Sequence, residues 1–163
     1  MTDFKLLQCG SPISDADIEA LEAQIGIKFP VRFRAIYQAY NGGSPVREFL
    51  VSDEDFEPVR VEDFKSISSV GAGDANETKY IGGCYEVMRE ANIVPSHLVP
   101  FANDEAGNFI CLEIGAGRVI YFAVDTFQAD LDMHLNHINA QRVMSSSFGD
   151  FIDSLVDEED VDF

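Results

Sequence analysis

Two aspartates and two histidines with metal-binding side chains lie between positions 130 and 137: Asp130, Asp132, His134 and His137. On a helix the two histidines would share one face, as two zinc ligands on one element do. However, a strand-like alternation runs through the segment at Leu131, Met133 and Leu135. A strand would place the histidines on opposite faces. No third imidazole or thiolate follows at a recognised spacing, so we predict no metal site and no cofactor.

The cysteines are candidate nucleophiles, and they lie far apart at Cys9, Cys84 and Cys111. Their odd number and the absence of a CxxC pair argue against a disulfide framework and a thiolate zinc site. Cys111 lies in an apolar segment, where burial raises the pKa of a thiol and makes it unreactive. An enzyme would need a catalytic role for Asp104, His134 or Cys84, and we predict that the protein is not an enzyme.

Carboxylates form the densest group of charged side chains. Between positions 53 and 63 there are six of them: Asp53, Glu54, Asp55, Glu57, Glu62 and Asp63. Such a group can bind a cationic cleft on a partner protein and so occlude it. We add Asp104 to this candidate partner-binding set. The alternative that stays open is a loop that is acidic only because it is solvated.

The whole chain has the same bias, because 29 acidic and 11 basic residues give a formal net charge of −18 in 163 residues. This charge repels nucleic acids and anionic membranes and speeds encounter with a strongly basic partner. We therefore predict a basic protein partner and no direct binding to nucleic acid or to a membrane. The unpaired cysteines and the lack of an apolar leader or a long apolar run favour a cytoplasmic protein.

Two helices are predicted near the N-terminus. A capping box at Ser14 and Asp17 begins the first helix, and Gly26 ends it in the left-handed conformation. Pro30 begins the second helix, which ends at Asn41-Gly42-Gly43. The pair therefore meets at a tight corner.

Strands are predicted at five places: residues 47 to 52, 58 to 61, 98 to 102, 109 to 114 and 118 to 124. The last two form a hairpin around Gly115-Ala116-Gly117. Both arms of the hairpin are apolar on both faces, which predicts central strands covered on each side.

The remaining segments complete a single domain of residues 1 to 163. Residues 71 to 83 have the composition of a loop, and one or two helical turns follow over residues 84 to 91. Ser147 caps a last helix, whose apolar stripe includes Phe148 and Leu155. Residues 157 to 163 are predicted to be a frayed acidic tail.

Several motifs in this order resemble those of the SUKH superfamily, which contains fungal cell-wall synthesis regulators and many bacterial immunity proteins. The resemblance covers nearly the whole chain. Its motifs are Ile18/Leu21/Glu22 leading into Gly26-Ile27-Lys28-Phe29-Pro30, Tyr37 to Gly43, Val94-Pro95, Leu98 to Asp104, Gly107 to Leu112, Val119-Tyr121-Phe122, and Ser146 to Phe151 with Leu155.

The resemblance implies an α+β domain with a mainly antiparallel sheet of about five or six strands, flanked by the N-terminal helix pair and the C-terminal helix. It also implies a non-enzymatic protein that binds and neutralises a polymorphic or contact-dependent toxin, often a nuclease. The alternative is a regulatory module for endogenous partners, as in cell-wall synthesis. The stretches 71 to 93 and 128 to 144 match no family signal, so a partner-specific surface can lie there.

Overall fold

The computed structural model describes residues 4–51 and 57–161. The helices are α1 (Asp15–Ile25), α2 (Val31–Ala39), α3 (Ile81–Glu90), α4 (Met133–Ala140) and α5 (Phe148–Ser154). The strands are β1 (Leu6–Leu7), β2 (Ser44–Pro45), β3 (Phe49–Leu50), β4 (Val59–Phe64), β5 (Leu98–Asp104), β6 (Phe109–Glu113), β7 (Val119–Phe122), β8 (Gln141–Ser145) and β9 (Leu155–Val156). None of the helices in these ranges is long and apolar enough to cross a membrane.

The predicted α+β class is confirmed. Within the described ranges, seven strands form an antiparallel sheet in the order β8-β7-β6-β5-β4-β3-β9, and β1 pairs with β2 in a small second sheet. The five expected strands correspond to β3 to β7. The strands β8 and β9, which add one strand at each edge, were not predicted.

The N-terminal helix pair forms as its end signals predict. Ser14 Oγ accepts a hydrogen bond from the Asp17 backbone N–H, and the Asp17 carboxylate accepts one from the Ser14 backbone N–H at 2.8 Å. Gly26 ends α1 with φ of 85°, a conformation that glycine adopts without strain. The helix α2 then begins immediately after Pro30.

The sheet is covered on both faces, as the apolar hairpin predicts. Successive residues of β6 point to opposite faces. Ile110 and Leu112 therefore pack with α1, α2 and α5, where Phe33 and Phe148 lie 5.1 Å apart between ring centroids. Cys111 packs on the other face, in a second buried cluster with α3 and α4.

Two segments differ from their predicted structure. The helix α3 spans ten residues and is longer than the one or two turns expected. The strand-like pattern around Met133 is misleading, because this residue begins the helix α4. The buried face of α4 includes a polar anchor, since the Asn136 amide bonds the backbone N–H and C=O of Gln128 at 2.9 and 3.0 Å. Hydrophobic periodicity does not reveal a helix whose inward face is polar.

The C-terminal helix begins at its predicted cap, where Ser147 Oγ accepts a hydrogen bond from the Asp150 backbone N–H at 3.1 Å. It ends one residue before expected, at Ser154. Leu155 is buried, but it belongs to β9. The apolar residue that was assigned to the helical stripe therefore pairs with β3 instead.

Candidate functional site

Two adjacent carboxylates project from β4 because the strand contains a β-bulge. Val61 pairs with Asp104 and Asp63 pairs with Asn103, so Glu62 is an additional residue on this strand. In a regular strand Glu62 and Asp63 would point to opposite faces. The bulge breaks that alternation, and both residues are exposed.

These carboxylates are not neutralised by neighbouring cations. In the ranges 4–51 and 57–161, neither Glu62 nor Asp63 has an ion-pair partner, and neither does Glu57. Burial raises the pKa of the Asp63 carboxyl, and the positive charge of Lys65 opposes this effect. Its pKa is raised although the residue is exposed, so the carboxylate is held where part of its hydration is lost.

Arg60 balances two further acids on the neighbouring strands. Its guanidinium lies 3.2 Å from Glu48 and 3.4 Å from Glu105, and the hydrogen bond and charge of Glu48 raise the pKa of Arg60. Sequence reasoning missed both of these acids. Glu48 could have been found from the predicted strands 47 to 52 and 58 to 61. Antiparallel pairing of these strands brings Glu48 close to Arg60.

Asp104 serves the turn that follows β5. It is buried, and its carboxylate accepts hydrogen bonds from the backbone N–H groups of Ala106 and Asn108 at 2.9 and 2.8 Å. It also accepts a hydrogen bond from the Tyr121 hydroxyl, which with burial raises the pKa of Tyr121. Asp104 therefore orders the turn that displays Glu105.

The sheet register separates the predicted acidic cluster into two ends. Phe49 pairs with Arg60 on one side and with Val156 on the other. The chain therefore leaves β9 at the end of the sheet where Glu62 and Asp63 lie. Glu57 precedes β4 at the opposite end, roughly 17 Å away at the usual rise per residue.

The described part of the acidic tail leaves β9 toward the end of the sheet at which Glu62 and Asp63 lie. Residues Glu158–Asp160 form a short 3-10 turn directly after β9, and all three are exposed. The turn and the bulge lie toward the same end of the sheet but on different strands, because Gly43 bridges Phe64 on the side of β4 opposite β5. We call the set Glu62, Asp63, Glu158, Glu159 and Asp160 the acidic edge. Asp53, Glu54, Asp55 and Asp162 lie outside the described residues.

A cleft of about 490 Å³ borders the acidic edge at Asp63. Its other walls include Asn41, Ser66, Lys79 and Tyr80. Lys79 is held by Asp74 and Glu77 at 3.3 and 3.5 Å, so its charge is already balanced. The cleft is thus a polar recess beside a carboxylate of raised pKa.

The other candidate residues have structural surroundings. His134 is exposed, and His137 is buried with Nε2 2.8 Å from the Asn92 carbonyl oxygen. No group of three or more potential metal ligands is present in the described part of the chain. Burial raises the pKa of the Cys84 and Cys111 thiols, as predicted for Cys111.

Comparison with known proteins gives two matches. The model of the SMI1 / KNR4 family (SUKH-1) matches residues 12–154. The chain is also 24% identical over 156 residues to a protein of Bacillus subtilis (strain 168), the SPbeta prophage-derived uncharacterized protein YokK; the match covers 89% of this chain and 76% of that protein.

Proposed function

Because this chain belongs to the SMI1/KNR4 family (SUKH-1), we propose that it is a cytoplasmic, non-enzymatic binding domain that neutralises a basic toxin domain. The toxin class that fits this surface is a nuclease, whose cationic cleft binds phosphates. The acidic edge would occupy that cleft and exclude the nucleic acid.

The observation that carries the proposal is the bulge at Glu62. It exposes two adjacent carboxylates without ion-pair partners in the described ranges, in a chain with a net charge of −18. Bulges are concentrated at sites where a side chain must be redirected.

Each part of the site has a distinct contribution. The net charge steers a cationic partner toward the protein, and close charge pairs across the interface supply specificity. The cleft beside Asp63 can receive one lysine or arginine side chain. Asp104 contributes indirectly, because it holds the turn that carries Glu105. Glu57 would extend the surface at the other end of β4, and the proposal also includes Asp53, Glu54 and Asp55, which lie outside the described residues.

The experiment first asks whether a neighbouring gene encodes a basic toxin domain, which is then produced as a catalytically inactive variant. Its affinity for the protein is measured by calorimetry at ~0.05 M and ~0.3 M salt, where screening differs strongly. We expect affinity to fall as salt rises. Co-expression of the active toxin with the protein should restore growth. Absence of binding and of growth protection would overturn the proposal.

A matched pair of isosteric variants tests the surface. Glu62→Gln with Asp63→Asn removes two charges from the acidic edge and should weaken binding about tenfold or more. Asp130→Asn with Asp132→Asn removes two exposed charges before α4, so it reports the effect of net charge alone. Equal losses in both variants would show that steering, and not a contact at β4, explains the affinity.

A further inference from the structure

The two edges of the seven-stranded sheet are built differently. The edge strand β9 has two residues and is followed at once by the acids of the 3-10 turn. Short strands, charged side chains and bulges are features that protect edges from pairing with another chain. The edge strand β8 has five residues, Gln141–Ser145, and contains no acid. In the described ranges, β7 is its only neighbour in the sheet.

The lack of acids extends well beyond β8. No Asp or Glu occurs from Met133 to Gly149, although the chain has 29 of them. Residues 23 to 47 are also free of acids, but the only strand they contain is β2. This strand belongs to the small second sheet, so the stretch forms no edge of the seven-stranded sheet. The edge at β8 is therefore the open edge at which a second, equally acidic molecule meets the least repulsion.

Three large hydrophobic side chains are exposed along this acid-free segment. Leu135 is 45%, Ile138 is 54% and Val143 is 51% exposed. Leu135 and Ile138 are three residues apart on α4 and share a helix face. The strand β8 begins directly after α4, so these residues and Val143 belong to one continuous stretch of chain.

The hydrogen-bond pattern shows which backbone groups point outward. Ala123 N–H donates to the Ala140 carbonyl at 3.0 Å, and the register continues as Tyr121 with Arg142 and Ile120 with Val143, after which Met144 is an additional residue in a bulge. Bonded and non-bonded pairs alternate in an antiparallel ladder. The N–H and C=O of Val143 are therefore directed away from β7, toward the open edge.

We propose that β8 is a self-association surface, on which a second copy of this chain pairs antiparallel so that the sheet continues across a twofold axis. With Val143 opposite its own copy at the axis, the two valines exchange both backbone hydrogen bonds. Arg142 of each copy then lies near the bulged Met144 of the other, and not opposite the second Arg142, so like charges do not meet. A basic partner would instead bind the acidic edge, which leaves β8 to a second copy.

The mass of the protein in solution tests this surface. Sedimentation equilibrium of the wild type across a dilution series should show association from 18.0 kDa to twice that mass. The association should strengthen between ~0.05 M and ~0.5 M salt, because screening weakens the repulsion between the two copies. A mass that stays at 18.0 kDa, or association that weakens with salt, would overturn the proposal.

Substitutions at the edge locate the contact. Val143→Lys places a charge at the axis and should give a monomer. Val143→Pro removes the outward N–H without removing a bond to β7 and should do the same. Val70→Lys is the control, because Val70 is 66% exposed and lies outside the sheet. Dimers that persist in both Val143 variants would overturn the proposal. A wild type that is monomeric and whose β8 pairs with a strand of another protein would also overturn it.

Discussion

The buried carboxylate of Glu22 accepts a hydrogen bond from the backbone N–H of Phe29 at 2.7 Å, across the corner between α1 and α2. Its second oxygen lies 2.7 Å from Arg34. A single acid thus joins the end of one helix to the first turns of the next. This acid belongs to the group that supports the fold, in contrast to the exposed acids of β4.

Removal of the Glu22 carboxylate should destabilise the protein. Glu22→Ala leaves the Phe29 N–H and the largely buried Arg34 without their partner, so we expect the free energy of unfolding to fall by about 2 to 4 kcal/mol. Urea denaturation followed by circular dichroism measures the change. Glu19→Ala is the control, because Glu19 lies 3.9 Å from Arg34 with its side chain 66% exposed. Equal losses in the two variants would contradict the assigned role.

Removal of the Asn41 side chain should destabilise the protein about as much as removal of the Glu22 carboxylate, for a different reason. Its side chain bonds the backbone N–H and C=O of Ile67 at 2.6 and 2.8 Å, and the Ser11 carbonyl at 2.7 Å. Asn41→Ala should cost about 2 to 4 kcal/mol, because backbone groups lose their partners at a buried position. Asn139→Ala on the exposed side of α4 should change little. Thermal unfolding of the two variants gives the comparison.

The raised pKa of Asp63 predicts that a neutral side chain at this position stabilises the protein, by an amount that depends on pH. The folded state holds the Asp63 proton more tightly than the unfolded state does. Its ionisation therefore opposes folding above the folded-state pKa, and this effect vanishes below the usual pKa of aspartate. Asp63→Asn should be more stable than the wild type at neutral pH and equally stable at strongly acidic pH. Unfolding midpoints across that range test the sign, and a less stable variant at neutral pH would contradict it.

Thiol labelling should distinguish the three cysteines. Cys9 is exposed, whereas Cys84 and Cys111 are buried and their thiol pKa values are raised. A thiolate-specific reagent at mildly alkaline pH should modify one thiol per folded chain and all three after denaturation. Cys9→Ser should remove the fast reaction. Rapid labelling of two thiols in that folded variant would contradict the burial of the pair.

The sequence predicts the parts of this fold that depend on local signals. The capping box at Ser14 and Asp17, the left-handed Gly26 and the doubly apolar hairpin each act within a few residues. The start of α5 follows the same rule at Ser147. For these elements, local preference and the final packing agree.

The features that escaped prediction depend on distant parts of the chain. The exposure of both Glu62 and Asp63 requires the bulged pairing of β4 with β5, and α3 separates these two strands in the sequence. The polar anchor at Asn136 requires the backbone of Gln128, so hydrophobic periodicity alone mistook α4 for a strand. The density of acids indicated a charged surface, but only the strand bounds and register show that Glu57 and Glu62 lie toward opposite ends of β4.

The pairing of β9 with β3 also has a consequence for folding. Leu155 pairs with Leu50, so about a hundred residues separate two strands that must meet. This contact has a large loop-closure cost, and it cannot form during synthesis until residue 155 has left the ribosome. The acids of the 3-10 turn follow β9, so they take their place in the fold only after that step. A nascent chain that has not yet reached β9 therefore lacks part of the acidic edge.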